Sequence, residues 1–385
     1  MSIKMNNFEI LSKDYRSNAR CGQLTTSHGT IQTPVFMPVG TSGAVKGVNP
    51  KQISETGASI ILANTYHLMI RPGVENVEKL GGLHKFMAWE KPILTDSGGY
   101  QLFSLSKLTK IDDNGVEFTN HIDGSKNFLD ARIATEIQNR LGADIIMCFD
   151  ECTPYPAEKH QLEKAVKRTI SWASICKKVH KTSEQLLFGI VQGGIDPDLR
   201  SQCAKELIKL DFDGYAIGGL SVGEGHENMI NAVKATTPFL PDDKPHYLMG
   251  VGMPADIIAA VLAGIDMFDC VIPTRNGRNA FAFTEKGPLR LRNSVHSDDQ
   301  APIEADCDCY CCRNFSRATL RHFFNIGEML GPILASMHNL RFFQRLMAQI
   351  RQNIEKGGFS DWAAENLKKY KNLYLQQQTS LIENE

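Results

Sequence analysis

The chain has 385 residues, with 42 Lys+Arg against 43 Asp+Glu and a formal net charge of −1. That length suits one large α/β barrel or two ordinary domains, and a composition of 42% hydrophobic and 22% charged residues excludes wholesale disorder. No run of about 18 apolar residues occurs, so no membrane span is expected, and the near-zero charge excludes a surface coated in positive charge, though not a local basic patch.

The N-terminal residues alternate polar and apolar without the basic-then-apolar order of an export signal, and read as a short lead-in. Short β-rich apolar runs then recur at 35–39, 59–63, 93–95, 145–149, 188–191, 215–217, 247–249 and 267–268. Helical patterns separate several of them, for example 161–180 and 198–210. Such alternation predicts parallel strands with right-handed crossovers, and eight units favour a closed (β/α)8 TIM barrel over an open sheet. No G-x-G-x-x-G follows the first strand, which weakens a dinucleotide-binding fold.

The predicted strands end in Gly40-Thr41, Asn64, Asp96, Asp150, Gln192, Gly218-Gly219, Gly250 and Asp269. In a barrel these ends converge on one mouth. One carboxylate there would serve as a helix N-cap; three with an amide and a Gly-Gly predict a polar catalytic or binding pocket.

Two segments interrupt the alternation. Residues 105–123 hold the turn signals Asp113-Asn114-Gly115 and Asp123-Gly124 and read as a hairpin insert. Residues 293–340 hold a cysteine cluster. The expected domains are therefore a barrel over 1–292, a metal-binding subdomain over 293–340 and a C-terminal helical segment over 341–385 that completes the barrel and frays at its end.

Ten cysteines are present; six are scattered (Cys21, Cys148, Cys152, Cys176, Cys203 and Cys270) and four crowd together as Cys307, Cys309, Cys311 and Cys312. A disulfide scaffold would be shorter and carry an export signal, so a reducing, cytoplasmic compartment is expected. Close thiolates with a distant imidazole, His338, predict a closed structural zinc site, and five candidates compete for four positions. The spacing C-x-C-x2-C uses Cys307, Cys309 and Cys312 and leaves Cys311 spare.

At this point the motifs resemble one family. Thr95-Asp-Ser-Gly-Gly-Tyr-Gln101, Phe149-Asp-Glu-Cys152, Val191-Gln-Gly-Gly194, Gly218-Gly-Leu-Ser-Val-Gly-Glu224, Tyr247-Leu-Met-Gly-Val-Gly252, Asp266-Met-Phe-Asp-Cys270, Pro273-Thr-Arg-Asn-Gly-Arg278 and the cysteine-histidine knot all resemble bacterial-type tRNA-guanine transglycosylases, over residues 8–360. The resemblance implies a TIM barrel with a zinc insert near its C-terminal end. It also implies exchange of the wobble guanine of GUN-anticodon tRNAs (for Asp, Asn, His and Tyr) for 7-aminomethyl-7-deazaguanine, on the way to queuosine.

The same resemblance implies roles. Asp269 is the nucleophile that forms a covalent RNA intermediate, and Asp96 is the general acid/base. The base lies against Ser97, Gly98 and Gly99 between Tyr100 and Met249, with Asp150 accepting its donors. Gln192 and the Gly219 N–H meet its carbonyl, the Leu220 carbonyl meets its aminomethyl group with Glu224 behind, and Asn64 contacts ribose. The anticodon loop is expected against Gly250, Val251, Gly252, Met253, Pro254, Ala255 and Asp256, and against Thr274, Arg275, Asn276, Gly277 and Arg278. Arg290, Arg292, Arg313 and Arg317 are expected to extend a phosphate-binding surface. One structural zinc on Cys307, Cys309, Cys312 and His338, and a homodimer using Phe315, His322 and Trp89, complete the expectation.

Three departures stand out: Met253 replaces a usual lysine, Cys311 is unusual between the zinc cysteines, and Thr319 occupies a position often aromatic. The alternatives are a queuine-incorporating eukaryotic-type enzyme, which has glycine at Val222 and valine at Cys152, and a non-catalytic accessory subunit, which lacks both catalytic carboxylates. A zinc hydrolase on the same fold is the outsider.

Overall fold

The computed structural model describes residues 7–104 and 109–374. Eight strands close into one parallel barrel: Val35–Gly40, Ile61–Ala63, Ile93–Thr95, Ile145–Met147, Leu186–Val191, Gly214–Ile217, His246–Leu248 and Met267–Cys270. These are the eight predicted runs, trimmed or extended by a few residues. Each strand pairs with its chain neighbour, and the eighth returns to the first through Met267 opposite Val35 and Asp269 opposite Met37. Most are buried on both faces, which explains why they read as continuous apolar runs rather than alternating ones.

The crossover helices include Lys159–Val179 and Pro197–Ile208, close to the predicted spans. Their starts follow local chemistry. Asp130 accepts from the Ile133 N–H at 2.7 Å to open helix Ala131–Leu141, and Asp196 accepts from Asp198 and Leu199 ahead of Pro197. No helix among the described residues is long and apolar enough to cross a membrane.

The N-terminal lead-in differs from its expectation. It forms a three-stranded antiparallel sheet, Phe8–Lys13, Arg20–Thr26 and Gly29–Thr33. Phe8, Leu24 and Ile31 pack with Val35, Leu94, Ile145 and Phe188 from the barrel interior, so the sheet plugs the end where the strands begin. The fully buried Arg20–Asp266 ion pair, at 2.7 Å, ties this plug to the start of the eighth strand.

The insert also exceeds its expectation. Its first residues, 105–108, lie outside the described residues; the rest is a three-stranded sheet, Thr109–Ile111, Val116–Thr119 and Lys126–Leu129, rather than a hairpin. The predicted turn is there, with Asp112 Oδ1 accepting from Asn114 and Gly115 N–H at 2.8 and 3.1 Å. The third strand, Lys-Asn-Phe-Leu, is half polar and too short to give a strand signal.

After the barrel, helix Ile272–Arg278 packs against the long helix Leu330–Glu355. An added Cβ at Gly277 would lie 2.6 Å from the Ser336 nitrogen, so that position has no room for a side chain. Residue 340, the expected end of the metal-binding segment, falls inside this helix. The last helix, Phe359–Tyr374, covers the barrel; the remainder of the expected C-terminal segment, 375–385, lies outside the described residues.

Candidate active site and metal centre

The polar strand ends gather at one mouth. Asp96 follows the third strand and is buried. Its carboxylate accepts from the Asn64 amide, from the Thr65 N–H at 2.9 Å and from Gln101 Nε2 at 2.9 Å. Burial nevertheless pushes its pKa up to about 6, with a smaller upward push from the charge of Asp269.

Asp269 lies on the eighth strand. Tyr247 O–H donates to its Oδ1 at 2.5 Å and the Gly250 N–H donates to the same oxygen at 2.8 Å. Burial also raises this carboxyl, opposed by those two donors. Among the described residues Oδ2 takes no hydrogen bond, which leaves one oxygen held and one available.

Asp150 is the third carboxylate. Ser97 O–H donates to Oδ1 at 3.0 Å and Gln192 Nε2 to Oδ2 at 2.7 Å, while burial pushes it up to about 6. Gly99 sits against it, so an added Cβ would fall 2.7 Å from the Asp150 carbonyl. Buried Oε1 atoms of Gln101 and Gln192 have no partner among the described residues. Unmet polar atoms beside three carboxylates describe a site that a polar ligand completes.

The loops around the mouth are held by Arg200, to which the sequence assigned no role, and by Glu224, which was expected behind the aminomethyl group. Arg200, fully buried, donates to the carbonyls of Gly194 (2.8 Å) and Val191 (2.9 Å), clamping the turn on either side of Gln192. Burial lowers its pKa to about 10. Glu224 accepts from the Ser221 N–H (2.5 Å) and the Val222 N–H (2.9 Å), which fixes the 218–224 turn and its positive φ at Gly219 and Ser221. Gly219 lies directly against Gln192 Oε1, where any side chain would collide. Leu220 is buried and Val222 half-buried.

Tyr247 and Gln101 were inside quoted motifs yet received no role, because a motif match does not say which way a side chain points. Arg200 lay in the helical pattern 198–210 and Thr65 in no quoted motif, with nothing to mark either. Tyr100 is 52% exposed at the mouth, the exposure expected of an aromatic face awaiting a partner, and Met249 packs on the barrel interior.

The expected RNA-facing segments divide by exposure. Arg275 and Gly250 are exposed, and Met253, Asp256, Asn276 and Arg278 are half-buried. Asp256 Oδ1 meets His226 Nδ1 at 2.5 Å, and Arg278 Nε donates to the Thr274 carbonyl at 3.1 Å. Val251, Gly252, Pro254, Ala255, Thr274 and Gly277 are buried and build the wall behind these groups. Of the outlying arginines, Arg317 is bound to Asp299 and the Ile303 carbonyl and Arg292 donates to the Phe324 carbonyl, while Arg290 and Arg313 stand exposed. Trp89 is 3% exposed with its N–H on the Pro92 carbonyl, which removes it from any surface cluster.

The metal candidates converge. The Sγ atoms of Cys307, Cys309 and Cys312 and a ring nitrogen of His338 all lie within 4.8 Å of one another. His338 Nδ1 faces Cys312 Sγ at 3.3 Å and Cys309 Sγ at 3.8 Å, while Nε2 hydrogen-bonds the Phe283 carbonyl at 2.8 Å. That bond places the proton on Nε2 and leaves Nδ1 free as a ligand. Three thiolates and an imidazole suit zinc in a closed tetrahedral site. Cys311, one residue before a ligand on helix Tyr310–Asn314, is buried beside these thiols but is not one of the four whose donor atoms all lie within 4.8 Å of one another.

The sequence comparisons agree with this geometry. The family model described as Queuine tRNA-ribosyltransferase matches residues 14–372. A Queuine tRNA-ribosyltransferase of Thermoanaerobacter sp. (strain X514) is 53% identical over 364 residues, covering 94% of this chain and 97% of that protein. Those of Caldanaerobacter subterraneus subsp. tengcongensis (54% over 364 residues; 94% and 97%) and Rickettsia bellii (53% over 354 residues; 92% and 98%) are similarly near. With a barrel, a three-carboxylate mouth and near-complete coverage of such relatives, this chain belongs to the queuine tRNA-ribosyltransferase family.

Proposed function

We propose that the chain is a tRNA-guanine transglycosylase, a pentosyltransferase that exchanges the wobble guanine of GUN-anticodon tRNAs for 7-aminomethyl-7-deazaguanine in queuosine synthesis. The observation that carries it is the convergence of Asp96, Asp150 and Asp269, each with a distinct hydrogen-bonding environment, on one mouth.

Asp269 Oδ2 attacks the ribose anomeric carbon as the bond to guanine N9 breaks, forming a covalent ribosyl ester. Asp96 gives its proton to the departing base, accepts one from the incoming base, and the new N9 displaces Asp269. One glycosidic bond is exchanged for another, so no external energy source is needed. A pKa raised to about 6 suits Asp96 to carry a proton both ways near neutral pH. Asp150 accepts the N–H donors of the guanine-like edge; the second N–H of Gln192 Nε2 and the Gly219 N–H meet the carbonyl. Tyr100 and Met249 hold the extruded base from its two faces, and Asn64 meets the ribose. Arg275 and Arg278 serve the anticodon loop from the helix that follows the catalytic strand. Zinc on Cys307, Cys309, Cys312 and His338 holds the 293–340 segment in shape and takes no part in the chemistry. Exposed Tyr310, Ile326 and Met329 on that segment support a homodimer.

The deciding experiment is exchange of labelled guanine into unmodified tRNA. Incorporation at the wobble position supports the reading, and its absence with folded, metal-loaded protein removes it. The pH dependence follows from the two raised carboxyls. Below about pH 6 both Asp96 and Asp150 take up a proton, and Asp150 then stops accepting from the base. Ionisation of Asp150 raises kcat/KM between about pH 5 and 7, while loss of the Asp96 proton over the same range opposes it above about pH 6, so the expected profile is a bell centred near pH 6; a flat profile to pH 5 speaks against Asp150 as the acceptor.

Substrate choice is read from Val222 beside the Leu220 carbonyl. A β-branched side chain fills volume that the cyclopentenediol of queuine needs, and overpacking costs ~1–3 kcal/mol, or roughly 5- to 150-fold in affinity. Val222→Gly, with Cys152→Val, is expected to improve queuine competition by about that factor while sparing guanine exchange. Equal inhibition of the unaltered enzyme by queuine and by 7-aminomethyl-7-deazaguanine would contradict this selectivity.

A further inference from the structure

A second cluster of metal-ligating side chains lies at the opposite end of the barrel. Asp144 immediately precedes the fourth strand, whose far end leads to Asp150. His28 comes from the turn between strands Arg20–Thr26 and Gly29–Thr33, and His84 from helix Gly82–Met87. His28 Nδ1 lies 2.9 Å from Asp144 Oδ1 and His84 Nε2 lies 3.1 Å from Asp144 Oδ2. The two rings stack at 3.6 Å, and the three donor atoms lie within 4.8 Å of one another.

We propose that His28, His84 and Asp144 form a second divalent transition-metal site, separate from the cysteine centre, with solvent completing the coordination.

The first argument is charge. Asp144 is fully buried, and its only ion-pairing partners among the described residues are these two imidazoles. Its carboxylate also accepts the N–H groups of His28 (3.0 Å) and Ile93 (2.9 Å). The carboxylate is fully buried with no Lys or Arg paired to it among the described residues, a charge that a divalent cation offsets.

The second argument is spacing. Metal bonds of about 2.1 Å place neighbouring ligands around a six-coordinate ion roughly 3.0 Å apart, close to the two N···O separations observed. In the metal-free state each ring nitrogen hydrogen-bonds the carboxylate; when an ion enters, that nitrogen becomes the ligand and the proton resides on the ring's other nitrogen. His28 is the most exposed of the three, so the ion and its remaining water ligands enter from that side. Two imidazoles and one carboxylate select the later first-row ions, zinc, cobalt and nickel, over magnesium or calcium.

The test is metal loading of the intact protein. After dialysis against excess zinc and then buffer, metal analysis is expected to give about two zinc per chain, and about one in His28→Ala. Cobalt separates the sites, since the thiolate centre gives strong ligand-to-metal absorption and the histidine-carboxylate centre only weak bands. His28→Ala should lose the weak bands alone and Cys307→Ser the strong ones alone. His28 is a half-exposed turn residue, so its truncation leaves the barrel core intact. One equivalent in the unaltered protein, or two retained in His28→Ala, overturns the proposal.

Discussion

Asp269→Asn is expected to abolish the covalent tRNA adduct on denaturing gels and to lower kcat on the order of 10⁴-fold or more. The substitution is nearly isosteric, and an amide oxygen still accepts from Tyr247 and the Gly250 N–H, so folding and tRNA binding are retained. What is lost is nucleophilicity, because an amide cannot trap the anomeric carbon. Asp96→Asn is the companion measurement. It should bind tRNA normally and lose roughly 10²- to 10⁴-fold in turnover, the usual span for one proton carrier. An adduct of unaltered yield in Asp269→Asn would remove that residue from the role, and full exchange in Asp96→Asn would pass the proton to Asp150.

The second large effect concerns the metal. Cys307→Ser and His338→Ala are each expected to release the zinc of the cysteine centre and lower the thermal midpoint on the order of 10 °C. His338 lies in the first half of helix Leu330–Glu355, which packs against helix Ile272–Arg278, so loosening should weaken tRNA binding. Cys311→Ser should keep the metal. Loss of zinc in Cys311→Ser with retention in Cys312→Ser would reverse the ligand assignment.

The barrel was legible because parallel strands bury both faces and so appear as unbroken apolar runs, such as 186–191. The N-terminal plug was not: the alternation of its first strand was visible, but the pairing with Arg20–Thr26 and Gly29–Thr33 that makes it a sheet was not. The insert's third strand, Lys126–Leu129, is held by pairing with its neighbour rather than by its own composition. At the site, the carboxylates were legible as polar residues closing apolar runs. Their supports were not: Tyr247 reads as one more aromatic core residue until its hydroxyl is seen against Asp269. Motif matching likewise assigned Val251, Pro254 and Ala255 to an RNA-facing set without knowing that their side chains point inward.

Closure of the barrel also has a consequence for biosynthesis. The strand bearing Asp269 is the last of the eight to leave the ribosome, and it must pair with the first, Val35–Gly40. The Arg20–Asp266 link spans 246 positions. Long-range closure of this kind comes late in folding. An interrupted translation product therefore carries Asp96 and Asp150 but neither a closed ring nor Asp269, so the three-carboxylate mouth is assembled only when the whole barrel is made.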